Sequence, residues 1–452
     1  MKKAFPILLF FSACFLFEDE DENQNTHLTL SEGAIGVTTV RLKVEPEDSL
    51  AEFTFELTRD DSTVQTLSLQ SDTLIKDTGL NPNTSYTYTG YWMDGTKRIG
   101  ESNTLTLTTM DTTSHNFTWE IDTLGEYGSY LNDVWIVDEN DIWVVGNIET
   151  DCMEYNMAHW DGVEWELMGL VSQDEQIGHP GIDPIIENYS SHTLDLNSIH
   201  YFSENDIWIT SGLPMHWDGN NWTLYHLWNM GVLDNDDGGV TQLWGTSSNN
   251  MYFVGRTGSI VHYDGNEFTK MESGTDVDLI DIDGTPDGEP IYIIGRINTG
   301  WYSNLVLVYS NNVWNTLYEV DHYLPEDDDF GGVLNTRVLA DTAYITTMAG
   351  LWKYNYLNQT SVLIPESDYN EGDYFHTTNV TALYSNDIFM VNTTWCTAHF
   401  NGLNWNYDDV INQYFGDWNV WSKSADYNGS IFVVVGYVSV PQTALIMRSI
   451  MY

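Results

Sequence analysis

An apolar residue followed by an aromatic or second apolar partner recurs along most of the chain, at Ile142-Trp143, Ile207-Trp208, Met251-Tyr252, Ile291-Tyr292, Ala343-Tyr344, Ile388-Phe389 and Ile431-Phe432. The seven anchors stand about 48 residues apart, the spacing of a propeller or solenoid whose units bury their apolar faces only against each other. Each unit reads as four short strands, for example LNSIHYF, DIWITS, LPMHW and NWTLYH, with a short SEN turn early and an Asp-Gly turn late. Asp-Gly between alternating runs is a strong hairpin signal, because both residues tolerate positive φ. Four-stranded units in series predict a β-propeller, here of seven blades over residues 116–452.

The last unit supplies only three strands before Tyr452, the final residue of the sequence. The missing outer strand is expected from NFTWEI (Asn116 to Ile121), which has the pattern of the NWTLYH strand. Such a swap leaves the last sheet without an open edge. The wording DIWVVG followed by HWDG..W resembles propeller repeats of bacterial exported lipoproteins, and more distantly the Asp-box hairpins of sialidase-like propellers. The spacing from Asp218 to Trp222 is one residue shorter than in that box, so the second likeness supports fold alone.

Residues 27–112 carry shorter alternating runs such as VTTVRLKVEP, AEFTFELTRD and SYTYTGYWMD, which predict an antiparallel sandwich. DTGLNPNTSYTYTGYWMDGTK resembles fibronectin type III domains, in which Leu80 and Pro82 would precede a strand and Tyr86 would pack at the corner. That resemblance implies a spacer. The fold class expected is therefore all-β: an Ig- or fibronectin III-like sandwich followed by a seven-bladed propeller closed by an N-terminal strand.

MKKAFPILLFFSAC has the layout of a secretory signal. Its apolar run falls short of the roughly 20 residues a spanning helix needs. With Cys14 at its end it resembles a bacterial lipoprotein signal, which implies lipidation of Cys14 and export to the outer membrane or cell surface. Cleavage near Phe17 as an ordinary secretory signal is the alternative. EDEDEN (Glu18 to Asn23) completes a tether over residues 1–26 and resembles the acidic stretch of lipoproteins sent outside the outer membrane. Cys152 and Cys396 then remain, too few for a disulfide framework, and their pairing stays open.

The formal charge of −52 argues against a nucleic-acid backbone or an anionic membrane surface as partner, leaving membrane attachment to the lipid. Eighteen tryptophans make this a packed fold rather than an acidic disordered chain.

Connections from the fourth strand of one unit to the first of the next, and from second strand to third, share one face of a propeller, and the long loops all fall there. Function concentrates on such loops. They are acidic and aromatic, and they place Asp237, Asp328, Asp329, Arg256, Arg296, Trp301, Tyr302, Tyr374 and Trp395 as candidate ligand-binding residues for a glycan or a surface protein. No catalytic residue and no metal ligand is assigned. Calcium on the acidic loops is kept as an alternative, although none matches the twelve-residue calcium loop. A glycan-cleaving hydrolase or lyase is the rival function, and a structural component of an envelope assembly the third.

Two recurrent positions are expected to be structural. His159, His216, His262 and His399 occupy one equivalent place in the third strand, spread too far around the ring to share an ion. Asn132, Asn197, Thr241, Asp278, Asn335, Asn379 and Asn419 start first strands and are read as turn caps.

Overall fold

The structure is a computed structural model, and it describes residues 28–46, 52–171, 181–182, 185–186, 194–296, 303–322, 324–326, 329–357, 359–365, 377–392, 397–408, 414–415 and 420–451. The chain divides into two compact units, Met1–Met110 and Asp111–Tyr452. Both are all-β.

The first unit has a three-stranded sheet (Leu28–Ile35, Thr39–Pro46, Thr73–Thr78). A second sheet comprises Ser62–Leu69, Phe53–Arg59, Ser85–Asp94, Lys97–Glu101 and Leu105–Thr108. Alternation places Val40, Leu42 and Val44 of one sheet and Phe53, Phe55 and Leu57 of the other in a shared core. The N–H of Asn81 donates to the Tyr86 hydroxyl at 2.9 Å, which fixes the turn ahead of the Ser85–Asp94 strand.

The second unit contains seven four-stranded antiparallel repeats among its described residues, an architecture of β-propeller type. Their first strands are Tyr130–Asp138, Ser198–Ser203, Val240–Ser247, Asp278–Gly284, Val333–Leu339, Thr377–Tyr384 and Val420–Tyr427. The second sheet gains a fifth short strand, Gly181–Ile182, at its outer edge. In the seventh sheet the order is Val420–Tyr427, Ile431–Ser439, Gln442–Met451 and then Phe117–Leu124. Phe117–Leu124 runs antiparallel to the carboxy-terminal strand from Phe117 opposite Met451 to Leu124 opposite Ala444. The expected strand exchange is thus present, three residues longer at its end than NFTWEI.

Each sheet buries both faces, which is why second strands such as IFVVVG read as continuous apolar runs. Seven separate apolar clusters fill the seven gaps between consecutive sheets. The cluster between seventh and first sheets joins Ile431, Val433 and Ile446 to Leu131, Val134 and Val144. The first strand of the first sheet also packs against the first strands of both the second and the seventh.

The repeated wording now has a physical cause. His159, His216 and His399 place Nε2 2.7–2.8 Å from the carboxylates of Asp141, Asp206 and Asp387, each the first residue of a second strand. In the third sheet His262 donates Nε2–H to the amide oxygen of Asn250 at 2.8 Å. The same four rings stack on Trp143, Trp208, Phe389 and Tyr252, with centroids 4.2–4.4 Å apart. Acceptor, aromatic and histidine form one packed unit; these histidines are structural. In the late turn, Asp218 Oδ1 accepts from the N–H groups of both Asn220 and Asn221 at 2.8 Å. Gly219 takes φ 88°, and a Cβ there would lie 2.6 Å from Asn205 Oδ1, so only glycine fits against the preceding turn.

Candidate functional site

The loop residues expected to bind a ligand are only partly within the described structure. Asp328, Trp301, Tyr302, Tyr374 and Trp395 lie outside the described residues, as do Cys14 and Cys396. Arg296 is described in its backbone, where it ends a second strand in register with Asp278 and Ser303.

Asp237 and Arg256 are brought together at one corner of the third sheet. The Arg256 N–H donates to Gly239 O at 3.0 Å, and a Cβ on Gly238 would fall 2.4 Å from Arg256 Cβ. Arg256 is exposed and opens a short 3-10 turn, Arg256–Gly258, in which Thr257 adopts φ 51°. Asp237 is committed to its own loop: Oδ1 lies 2.6 Å from Lys270 Nζ, and Oδ2 accepts from the Asp234 N–H at 2.8 Å. Burial opposes its ionisation, but the Asp234 N–H and the Lys270 ammonium hold its carboxyl below the ordinary range.

Asp329 belongs to the loop before the fifth sheet and is likewise occupied. It accepts from the N–H groups of Glu326 and Gly331, and its Oδ2 lies 2.8 Å from His322 Nε2. Its carboxyl is held low: burial works against ionisation, and these donors outweigh it. The two described acidic candidates thus shape their loops, and Arg256 is the exposed group among the candidates whose side chains are described. Among the described residues, no three His, Cys, Asp or Glu side chains converge as a metal-ligand set.

The seven first strands surround a central cavity of about 730 Å³. Six of them carry a bulge just before a polar residue: Asp133, Gln242, Asp281, Asn335, Asn379 and Ser424; Ser198 is the counterpart in the second sheet. Asn335 and Asn379 of the expected series stand in this ring, whereas Asn132, Asn197 and Thr241 fall one residue early and Asp278 three. Asn419 lies outside the described residues. The ring's job is also different from turn capping, because a propeller's inner strands present an unpaired backbone edge. Asp133 accepts from the N–H of Ile199, Asp281 from that of Thr336 and Asn335 from that of Val380, each in the next sheet. Two residues further on, Asp283 accepts from Val338 N–H and Asp426 from Ile136 N–H.

Burial pushes all these inner carboxyls upward where a shift is resolved. Asp281 reaches about 7, through burial first and the nearby charges of Asp283 and Asp133 in support, against the Thr336 N–H. Asp133 and Asp283 are raised for the same leading reason.

Trp135, His200, Trp244 and Arg337 line the same cavity one step along the strands, equivalent to Asp283 and Asp426. The His200 ring lies 4.4 Å from Trp135 and 4.5 Å from Phe202, and burial, helped by the Arg337 charge, pushes it down to about 3. It is therefore a neutral imidazole at ordinary pH. Sequence reasoning missed this group because the bulges shift the register; aligning the repeats on their second strands would have found it.

No family model and no curated protein sequence matches the chain. Among solved structures, the chain is similar to one described as YCF48 bound to D1 peptide, with a TM-score of 0.52 and 12% identity, covering 75% of this chain and 98% of that one. YCF48 from Cyanidioschyzon merolae gives a TM-score of 0.49 at 11% identity, with 73% and 98% covered. The C-terminal WD40 domain of Sif2 gives 0.41 at 10% identity, with 72% and 97% covered. At 12% identity the first of these likenesses shows the fold alone, in keeping with the multi-bladed β-propeller described above.

Proposed function

We propose that this chain is an exported, lipid-anchored binding protein in which a fibronectin III-like domain carries a seven-bladed propeller, and that the long-loop face of the propeller holds a surface protein. The observation that carries this reading is the corner at Asp237 and Arg256. A braced acidic loop presents one exposed guanidinium there, the kind of anchor that protein interfaces favour. The seven gap-filling clusters support the blade count, and the signal-like start of the sequence supports the anchor at Cys14. A similar propeller described as bound to a peptide favours a protein over a glycan ligand.

The test is a charge reversal. Arg256→Glu and the wild type are compared for cross-linking to intact cells of the source, with thermal unfolding as a control. The reading requires that the variant folds normally and loses its cross-linked partner; an unchanged partner with Arg256→Glu sinks it. Metabolic labelling with a fatty-acid analogue, lost in Cys14→Ser, tests the anchor separately. A glycan array probed with the full chain tests the alternative ligand.

A further inference from the structure

The central cavity holds one guanidinium that the fold leaves only partly used. Arg337 Nε donates to Ala382 O at 3.3 Å and stands 3.9 Å from Asp283 Oδ2, beyond hydrogen-bond reach. Among the described residues Nη1 and Nη2 have no hydrogen-bond partner, and 35% of the side chain is exposed. By contrast Arg59, Arg98 and Arg448 are each paired with a carboxylate at 2.8–2.9 Å. In a chain of charge −52, two terminal guanidinium nitrogens left without partners inside a cavity are not explained by a shortage of acids.

Of the four cavity carboxylates only Asp283 pairs with it, loosely and through Nε, and all four already accept backbone N–H groups: Asp133 from Ile199, Asp281 from Thr336, Asp283 from Val338 and Gly284, Asp426 from Ile136 and Tyr427. Lys423, the other cation on the cavity wall, lies towards the Tyr437 ring. Around Arg337 the remaining groups are those of a binding pocket. Trp135 and His200, tilted 49° to each other, form an aromatic corner of the wall, and neither His200 ring nitrogen has a hydrogen-bond partner among the described residues. Thr381, 2% exposed and also on the cavity wall, has a hydroxyl with no partner.

We infer that the central cavity is a binding site for a small organic carboxylate, whose two oxygens take the free fork of Arg337 while its flat body lies against Trp135 and His200. A guanidinium matches a carboxylate in two parallel hydrogen bonds, and such charge-assisted pairs are the strong ones. The neutral His200 and the Thr381 hydroxyl supply further polar contacts without adding charge. This site is independent of the loop face: it can fail while the partner reading stands, and the reverse.

The probes are benzoate, glucuronate and the uncharged benzamide, titrated into the full chain. Binding is followed by calorimetry and by the His200 ring C–H resonances. A carboxylate site binds benzoate or glucuronate saturably, at least about tenfold more tightly than benzamide, and moves the His200 resonances. Preference for benzoate assigns the body as aromatic, and preference for glucuronate as a uronic acid. Arg337→Gln should weaken binding at least about tenfold, while Asp283→Asn, which removes the competing carboxylate, should tighten it. A purely structural Arg337 predicts no tightening in Asp283→Asn, so that variant decides the matter even if Arg337→Gln does not fold. If neither benzoate nor glucuronate binds more tightly than benzamide, or no probe binds saturably, the inference is overturned.

Discussion

Arg448 Nη2 in the carboxy-terminal strand donates to Asp122 Oδ2 at 2.8 Å in the strand Phe117–Leu124, joining residues 326 positions apart. It also reaches Glu120 at 3.1 Å, and its guanidinium lies 3.9 Å from the Trp160 ring of the first sheet. One side chain, 7% exposed, thus ties the two ends of the ring to each other and to the next sheet. Arg448→Ala leaves Asp122 with only the Trp165 indole N–H, at 3.1 Å, and should cost about 3 kcal/mol, read as a lowered denaturant midpoint. A loss well under about 1 kcal/mol would show that the backbone pairing, and not this side chain, holds the two ends together.

The pH dependence of stability carries the signature of Asp281. Its folded-state carboxyl holds a proton up to about 7, whereas an unfolded aspartate releases it near ~4. Between those values the native state binds more protons than the unfolded one, so this group's contribution falls as pH rises from about 4 to about 7. Asp281→Asn keeps an acceptor for Thr336 N–H and removes the charge. It should be more stable than the wild type at pH 8, by on the order of 1 kcal/mol once water in the cavity is allowed for, and indistinguishable near pH 4. A constant difference across that range would contradict the assignment.

Lys353 is one of three departures from the histidine series, beside Val308 opposite Tyr292 and Ser449 opposite Phe432. It stands opposite Tyr344 as His159 stands opposite Trp143, and its ammonium lies 4.9 Å from the Tyr344 ring and 5.6 Å from Phe400. Burial pushes it down to about 8. The charged form therefore costs stability at neutral pH, and that cost fades as pH rises from about 8 to the unfolded value near ~10.4. Lys353→Met, with a similar stem and no charge, should melt higher than the wild type at pH 7 and lose that advantage near pH 10. A lower melting point at pH 7 would show that the ring contacts outweigh desolvation.

Trp208 is fully buried, stacks on His216, and donates Nε1–H to Ser248 Oγ at 2.7 Å; Ser248 in turn donates to Asp206 at 2.6 Å. Trp208→Ala removes the largest buried side chain of this gap and should cost about 3–5 kcal/mol. His216→Ala should cost about 1–2 kcal/mol, since it removes the Asp206 hydrogen bond, a longer contact to Ser248 and one stacking partner. Urea unfolding of both variants checks the order, and a larger loss for His216→Ala would refute this account of the motif.

How much of this was visible beforehand follows from which interactions are local. The Asp-Gly turn and the second-strand aromatic sit a few residues from their partners, so Asp218, Trp208 and His216 announce the repeat in any one unit. The exchange of Phe117–Leu124 was legible because the last unit lacks a strand and only one segment has its pattern. The polar ring was harder: a bulge adds one residue to the inner strand without changing its composition, so Asn132 reads as the inward position that Asp133 in fact occupies. The loop candidates rest on composition rather than on a local partner. Acidic loops look like ligand sites in sequence, yet Asp237 and Asp329 spend their oxygens on neighbouring N–H groups, Lys270 and His322. Arg337 stood in plain view in the sequence, but only the circular arrangement of seven distant strands gives it a cavity to face.

The pairing of Phe117–Leu124 with Gln442–Met451 also sets a schedule for biosynthesis. At about 5–20 residues per second, the early strand waits on the order of tens of seconds for its partner to be made. Until then, the first six sheets can stack in order but the disc stays an open arc with two sticky ends. During that interval those ends are free to find a neighbour's instead, so the risk of mispairing grows with the number of chains being made side by side.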